Sequence, residues 1–222
     1  ACSVLSDAVT TPRPRNKAHR SGSVAALIPD LIPDLIPDLI PDLIPDDEVI
    51  VEPVTDEQAI EAIGATVSKD KDGVIRSVTC FRNRRLTDEH LVRIARFHQL
   101  TALDLRDTRL TDNGLRHVAK LEGLEQLYIG GTAVTADGLT HLRNLTNLKV
   151  LNLKKLPIDA DTFTRHLGAL TSISGLNLDG TSFDDEGLRA LSELGNLQAL
   201  VLPGAVTDTG LGHLATHTQL AT

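Results

Sequence analysis

Apolar residues in the last two thirds of the chain follow a pattern that changes halfway through each of several similar segments. In one segment Leu103 and Leu105 alternate with polar residues, which predicts a β-strand with one buried face. Leu115, Val118 and Leu121 then recur at intervals of three, which predicts a short helix packed through one side. Because neither element can bury its apolar face within one segment, we expect the segments to stack against each other.

Six segments of about 24 residues share this pattern, and six units agreeing at eight or nine positions each are typical of a repeat architecture. The units begin at Ile75, Leu100, Leu124, Leu148, Ile173 and Leu197. A residue with a side-chain oxygen stands just before each predicted helix, where it can accept a free backbone N–H. These residues are Thr87, Thr111, Thr135, Asp159, Asp184 and Thr207. An acidic residue follows in the first helical turn of four units, where its negative charge interacts favourably with the helix dipole. These acids are Asp88, Asp112, Asp185 and Asp208.

The segment ahead of the repeats is divided into three parts. Residues 1–26 are predicted to be a disordered basic tail, and residues 27–54 a low-complexity linker rich in proline and aspartate. Within the linker, five copies of Leu-Ile-Pro-Asp exclude an α-helix, because proline removes a backbone donor every fourth residue. The linker is interpreted as a spacer, as a repeated docking peptide, or as a disordered repeat with no function of its own.

Residues 55–74 are predicted to form a cap on the repeats. Thr55 and the apolar residues after it predict a capped helix that ends at Gly64. The runs 66–68 and 74–78 on either side of a polar turn predict a β-hairpin. A helix and a hairpin at this point suit a cover for the first apolar face of the stack.

The units at residues 75–222 resemble the leucine-rich-repeat family, in its 24-residue form with a Leu-Thr-Asp-x-Gly-Leu helical segment, and bacterial members of planctomycete type in particular. The resemblance implies an α/β solenoid that is curved, with a parallel sheet on the concave side and helices on the convex side. In the family an asparagine ladder often follows the strands. Here only Asn83 keeps asparagine, threonine replaces it in three units, and Leu156 and Ala205 interrupt the ladder. We therefore expect the two units with Leu156 and Ala205 to be less regular.

Charge is distributed unevenly along the chain, whose formal net charge is −8. Residues 1–26 carry four basic and one acidic residue, residues 27–74 carry two and 13, and residues 75–222 carry 16 of each. The repeats therefore lack the surplus of cations that a nucleic-acid binder needs. Only five residues are aromatic, so stacking platforms for bases are missing. No apolar run approaches the roughly 18 residues of a membrane-spanning helix.

The two ends of the chain suggest that it is part of a longer or processed protein. It contains no methionine, and Ala1-Cys2-Ser3 matches the scar of a lipoprotein processing site with Cys2 as the lipidated residue, although a non-lipidated tail is the favoured interpretation. This sequence favours the cell envelope or the outside of the cell over the cytoplasm. Leu220 begins a seventh unit that stops at Thr222, so we expect the natural chain to continue or this end to pair with something.

The sequence contains no motif of a known catalytic or cofactor-binding site. His117, His141, His166 and His213 occupy equivalent helical positions. A straight column of this kind offers neighbouring pairs instead of the tetrahedral set that zinc prefers, so surface histidines are the favoured interpretation. We predict no catalytic residues, no cofactor and no metal, and we expect the protein not to be an enzyme.

Strand alternation predicts which residues face the concave side of the sheet. They form three rows, of which the third begins at either Phe81 or Arg82. Tyr128, the only tyrosine, lies in the middle, and aromatic anchors are typical of binding hot spots. The predicted contacts with a protein partner are Asp104, Arg106, Gln126, Tyr128, Asn152, Lys154, Asn177 and Asp179.

A second candidate surface is the basic loop of Arg82, Arg84 and Arg85 after the first strand, where the acidic linker 30–52 or an acidic partner is expected to dock. The function that these features favour is a non-catalytic module for protein–protein interaction. Two alternatives stay open: a structural or adhesion protein of the cell envelope anchored at its N-terminus, and the regulatory part of a larger enzyme.

Overall fold

Short strands from successive repeats lie side by side in one sheet. A computed structural model describes residues 54–220. The predictions for the tail at 1–26, for nearly all of the linker at 27–54, and for Cys2 lie outside the described residues. So does most of the strand that was expected to begin at Leu220.

The sheet has seven strands in sequential order, and only the first pair is antiparallel. The strands are β1 (Thr66–Lys69), β2 (Ile75–Thr79), β3 (Ala102–Asp104), β4 (Gln126–Tyr128), β5 (Val150–Asn152), β6 (Gly175–Asn177) and β7 (Ala199–Val201). The register between β2 and β7 is unbroken, so their central residues form one ladder. That ladder consists of Val78, Leu103, Leu127, Leu151, Leu176 and Leu200. The predicted stacking of the repeats is confirmed.

One helical segment follows each strand of the repeats. The α-helices are α1 (Asp56–Ala62), α2 (Asp88–Ile94), α3 (Asp112–Val118), α4 (Ala136–Leu139), α5 (Ala160–Leu167) and α6 (Asp208–Leu211). Three 3-10 helices span Thr140–Leu142, Gly187–Leu191 and Gly212–Leu214. The pattern of the last unit predicts a helix from Asp208 to His217, but α6 and its 3-10 extension end at Leu214. Gly210 and Gly212 weaken the helical preference there, so only short turns form.

The predicted cap is present at the start of the stack. The Thr55 side chain accepts the Gln58 N–H, and the Gln58 side chain accepts the Thr55 N–H, which forms a capping box. Ile60 on α1 is fully buried in the core. The chain reverses at Gly64, whose φ of +94° favours glycine. Asn83 Nδ2 donates to the carbonyl oxygen of Ile63 at 3.0 Å, so the one asparagine of the ladder joins the cap to the first repeat.

The core lies between the sheet and the helices and consists almost entirely of leucine, isoleucine and valine. Its two buried phenylalanines, Phe163 and Phe183, pack edge to face with ring centroids 5.8 Å apart. Cys80 is buried in the same core.

The expectation that the unit with Leu156 is less regular was wrong. Its strand keeps register with both neighbours, and its helix α5 is the longest in the described chain. In other units a threonine hydroxyl donates to the carbonyl oxygen three residues earlier, as Thr108 does to Leu105. Leu156 makes the equivalent turn with its backbone N–H, which donates to Leu153, and its side chain is buried instead. An apolar side chain therefore replaces the hydroxyl without disturbing the coil.

Candidate functional site

The concave face of the sheet presents the three predicted rows of side chains. The pairing of the strands aligns Ser77, Ala102, Gln126, Val150, Gly175 and Ala199 in the first row. It aligns Thr79, Asp104, Tyr128, Asn152, Asn177 and Val201 in the second row.

The third row begins at Phe81, which resolves the choice between Phe81 and Arg82. The Arg82 N–H donates to the carbonyl oxygen of Arg106, just as the Asp107 N–H donates to that of Gly130. Arg82 is therefore equivalent to Asp107, and Phe81 is equivalent to Arg106. The third row is Phe81, Arg106, Gly130, Lys154, Asp179 and Pro203.

Arg106 is the centre of a cluster of contacts on this face. Its guanidinium carbon lies 4.9 Å from the centroid of the Phe81 ring and 5.2 Å from that of the Tyr128 ring. Two aromatic rings thus contact one cation, an arrangement favoured by the ring quadrupoles. Arg82 lies over the same Phe81 ring at 4.9 Å.

Asp104 fixes the orientation of this arginine. Arg106 Nε donates to Asp104 Oδ1 at 2.9 Å, and Nη2 donates to Oδ2 at 2.6 Å, which is a two-pronged charge-assisted contact. The bond to Asp104 raises the pKa of Arg106 above its ordinary value, and the negative charge of Asp104 acts in the same direction. The guanidinium is therefore held both by its faces and by one edge.

Side chains of the second row bind the backbone at the carboxyl ends of their own strands. The Asp104, Asn152 and Asn177 side-chain oxygens each accept the N–H two residues further on, at 3.0 to 3.1 Å. Asn152 is only 8% exposed. Two of the predicted contact residues, Asn152 and Asn177, therefore shape the sheet edge as well as facing the concave side.

The remaining predicted residues pair with close neighbours. The Tyr128 hydroxyl donates to Gln126 Oε1 at 3.1 Å. Lys154 Nζ lies 2.7 Å from Asp179 Oδ2 in the next repeat. That bond, the charge of Lys154 and the charge of Lys155 lower the pKa of Asp179. Both carboxylate-bearing residues of the site, Asp104 and Asp179, are thus already bound to cations.

A polar hollow of about 330 Å³ lies beside the Arg106 cluster. Its floor is the Gly130-Gly131 backbone, and cationic side chains surround it. These cations are Arg82, Arg106, Lys154 and Lys155. A second, more apolar hollow of about 200 Å³ extends from Tyr128 toward β7, where Val201 is 49% exposed. The concave face therefore combines a charged part near the cap with an apolar part, lined by small and aliphatic side chains, near β7.

Sequence reasoning missed the row of left-handed residues that borders the charged hollow. Arg82, Asp107, Gly131, Lys155 and Gly180 all have φ between +55° and +72°. Glycine at two equivalent positions was the available signal, because glycine commonly occupies this backbone region. The two glycines indicate that the non-glycine residues at the same position of other repeats also lie in a left-handed turn.

The predicted basic loop is present, but its arginines do not form one cluster with the rest of the first unit. Arg93 and Arg96 both bind Asp56 of the cap, and Arg76 binds Asp70. The loop itself is exposed, and the Arg82 side chain lies 3.6 Å from Asp107. Arg84 and Arg85 are exposed as well. The acidic linker that was expected to dock here lies outside the described residues.

The four equivalent histidines are not gathered with other ligands. Between residues 54 and 220, no group of three histidine, cysteine, aspartate or glutamate side chains is placed to hold a metal ion. In the same part of the chain, no helix has the length and apolar character needed to cross a bilayer.

The sequence matches no protein-family model and no curated protein. Among solved structures, an internalin (inlF) from Listeria monocytogenes is 25% identical, with 59% of this chain and 36% of that chain covered and a TM-score of 0.49. This chain thus spans about a third of that protein. Internalin C2 (inlC2) from the same organism is 22% identical, with 76% and 71% covered and a TM-score of 0.53. The likeness to internalin C2 and the unbroken ladder of strands together identify the fold of this chain as a leucine-rich-repeat solenoid.

Proposed function

We propose that the chain is a non-catalytic protein-binding module that contacts its partner through the concave face. The observation that carries this proposal is the Arg106 cluster, in which a guanidinium is fixed between two aromatic rings on the open side of the sheet. Binding hot spots are enriched in tyrosine and arginine near the centre of an interface. Tyr128 and Arg106 stand in the third and second of six repeats, close to the middle of the row.

The cluster is suited to binding because it is formed before a partner arrives. Immobilising a flexible side chain at an interface costs about 0.5–1.5 kcal/mol. Asp104 and the two rings already restrict Arg106, so most of that entropy is lost on folding. The arginine therefore offers its contacts at a small additional loss of freedom.

The apolar hollow beyond Tyr128 extends the surface that a partner can cover. Its walls include Val150, Gly175, Ala199 and Val201, whose side chains are small or aliphatic. Interfaces commonly combine an apolar area with charged or polar groups at its border. A partner with an apolar segment beside a polar or charged group would match this face.

The proposal is tested by quantitative capture from a lysate of the source cells on the immobilised 222-residue chain. Tyr128→Ala and Arg106→Ala are expected to reduce at least tenfold the recovery of the same specific proteins. The control is Arg116→Ala on the exposed side of α3, which removes an arginine from the opposite face. Equal recovery by all four chains, with unchanged circular dichroism, would exclude the concave face as the binding surface.

The two alternative functions depend on parts of the protein other than the concave face. An envelope protein anchored at its N-terminus and a regulatory part of an enzyme both stay predictions from the sequence. A location in the cell envelope or outside the cell is a prediction of the same kind. No contact within residues 54–220 favours one of them over the binding module.

A further inference from the structure

The hollow beside Arg106 is lined by the one repeat that lacks a side chain in the third row. The other five repeats place Phe81, Arg106, Lys154, Asp179 and Pro203 there, and the third repeat places Gly130. The neighbours have closed around that backbone. A Cβ atom on Gly130 would lie 2.6 Å from the side-chain oxygen of Asn152 and 3.0 Å from Lys154. The floor of the hollow is therefore bare main chain.

That main chain contains a backbone donor without an acceptor. In neighbouring repeats the N–H groups of Arg106, Lys154 and Asp179 donate to the side-chain oxygens of Asp104, Asn152 and Asn177. The third repeat has Tyr128 in place of this aspartate or asparagine, and no acceptor for the Gly130 N–H occurs within residues 54–220. Buried N–H groups are nearly always paired. The second, fourth and fifth repeats thus possess an oxygen at this point that the third repeat lacks, as the first repeat does at Phe81.

The charges around the hollow favour an anion with a single charge. Arg82, Arg106, Lys154 and Lys155 line it, and their carboxylate neighbours are Asp104, Asp107 and Asp179. Four cations against three carboxylates leave one positive charge unbalanced. Lys155 is the cation for which no ion pair occurs in the described part of the chain. Arg106 Nη1 likewise has no acceptor there.

Two of these cations occupy a backbone conformation that is unfavourable for them. Arg82 and Lys155 have φ of +56° and +60°, at the position where other repeats have Gly131 and Gly180. Left-handed backbone is disfavoured for residues with a Cβ, and such residues persist mainly where the surroundings or the function require them. Asp107 has the same conformation, with φ of +55°, and backbone hydrogen bonds hold the equivalent turns in neighbouring repeats. The turn is therefore a feature of the repeats, and it places both cations at the rim of the hollow.

The geometry points to a binding site in this hollow for the carboxylate of an aspartate or glutamate side chain of the partner protein. This inference rests on the proposed function of the concave face. One carboxylate oxygen accepts the Gly130 N–H and so replaces the missing side-chain oxygen of the third repeat. Lys155 and the free edge of Arg106 supply charge-assisted donors. A dianionic phosphate fits less well, because it would leave the cluster with a net negative charge.

The experiment titrates the full 222-residue chain with a tetraglutamate peptide that is acetylated and amidated at its ends. The equally blocked tetraglutamine peptide is the neutral control, and inorganic phosphate is the alternative anion. The chain has one tyrosine and no tryptophan, so its intrinsic emission reports on Tyr128 at the site. The amide signal of Gly130 in a ¹⁵N-labelled sample reports on the donor itself. We expect the glutamate peptide to bind at least tenfold more tightly than the glutamine peptide, and to shift the Gly130 amide signal downfield.

Two substitutions of Tyr128 distinguish the effect of the missing acceptor from the effect of the aromatic ring. Tyr128→Asn supplies an internal acceptor for Gly130, whereas Tyr128→Leu removes the ring without supplying one. Followed by the Gly130 amide signal, binding of the glutamate peptide is expected to be lost in the asparagine variant and only weakened in the leucine variant. Lys155→Gln is expected to weaken it at least fivefold, and Lys120→Gln on the helical side is the matched control.

Three results would overturn the site: equal binding of the two peptides, tighter binding of phosphate, or undiminished binding by the Tyr128→Asn chain. If the peptide fails but capture of partner proteins still depends on Tyr128 and Arg106, the concave interface stands and the carboxylate site is wrong. If the peptide binds as expected but capture does not depend on those residues, the proposed function is wrong and the anion site stands.

Discussion

The carboxylate of Asp112 accepts two hydrogen bonds from Thr135 in the next repeat, one from the backbone N–H at 2.8 Å and one from the hydroxyl at 2.7 Å. The same link joins two further pairs of repeats, Asp88 to Thr111 and Asp185 to Thr207. The threonine–aspartate pair of the repeat motif therefore connects neighbouring coils in addition to its position at the start of a helix.

Removing one of these links is expected to weaken the stack. Asp112→Ala leaves the Thr135 N–H and hydroxyl without their acceptor, and hydrogen bonds to a charged group are worth about 1.5–3 kcal/mol. Because Thr135 is exposed and water replaces part of the loss, we expect the free energy of unfolding in urea to fall by about 1–2 kcal/mol. The control is Asp137→Ala, since the exposed Asp137 side chain makes no bond to another repeat. Equal losses in the two variants would contradict the linking role.

The glycine of the repeat motif is expected to be required by the aspartate of the preceding repeat. A Cβ on Gly138 would overlap the Asp112 carboxylate, and one on Gly114 would overlap that of Asp88. Gly138→Ala is therefore predicted to lower the free energy of unfolding by about 1–3 kcal/mol, in the range of overpacked sites.

The double variant Asp112→Ala/Gly138→Ala tests the cause of that loss. Once the carboxylate is gone, the added methyl group has room, so the double variant is expected to be more stable than the sum of the two single losses predicts. A double-mutant cycle by urea unfolding measures this coupling. Strict additivity would show that Gly138 acts through its own backbone and not through Asp112.

The same chain contains a natural version of this test. The fourth repeat has Thr162 where the second, third, fifth and sixth repeats have the motif glycine, and the preceding third repeat has Ala136 where the second repeat has Asp112. No carboxylate approaches Thr162 from that preceding repeat, so a side chain is accommodated there. The fifth repeat keeps Gly187 although the fourth repeat has Ala160 at the aspartate position, so the aspartate is not the single reason for glycine in this motif.

Periodicity was enough to predict that the units stack, because no unit can bury its own apolar face. The curved solenoid with a parallel concave sheet was implied by the resemblance to leucine-rich repeats. Leu103 and Leu127 were placed in one ladder by period-two alternation, and the register of β3 and β4 confirms this. The function of Asp112 was not predicted, because the sequence indicates only that an acid stands in a first helical turn. Its true partner lies 23 residues away, and only the pitch of the coil brings the two together.

The concave site was predicted in part for the same reason. Alternation correctly placed Arg106 and Tyr128 on one face, but alternation cannot show that a ring approaches a guanidinium. The unpaired Gly130 N–H could in principle have been predicted from the sequence. Aligning the repeats shows Tyr128 where the second, fourth and fifth repeats have aspartate or asparagine, yet the importance of that oxygen is visible only once its bond to the backbone is known.

Cys80 is expected to be chemically inert in the folded protein. Burial, with a smaller contribution from the charge of Asp104, raises the pKa of its thiol from 9.0 to about 12. In a Cys2→Ser chain, labelling by a thiol reagent at pH 8 should therefore be at least a hundredfold slower than in urea-unfolded protein. Because the folded pKa is the higher one, the stability due to this thiol is complete below pH 9 and is lost as pH rises toward 12. Rapid labelling of the folded chain would show that the first repeat opens locally.

Lys155→Gly is expected to separate stability from binding. The φ of Lys155 is +60°, and two equivalent positions carry glycine at +71° and +72°. Left-handed backbone costs a residue with a Cβ roughly 1–2 kcal/mol, while glycine loses about 0.5–1 kcal/mol more in conformational entropy on folding. We therefore expect the melting temperature to stay the same or to rise, equivalent to as much as about 1.5 kcal/mol. The same substitution removes the ammonium group from the rim of the hollow. The affinity for the glutamate peptide should therefore fall even though the melting temperature does not. Calorimetry of one purified variant measures both quantities. A chain that melts at a lower temperature would show that Lys155 stabilises the turn, and its lysine would then need no explanation from a ligand.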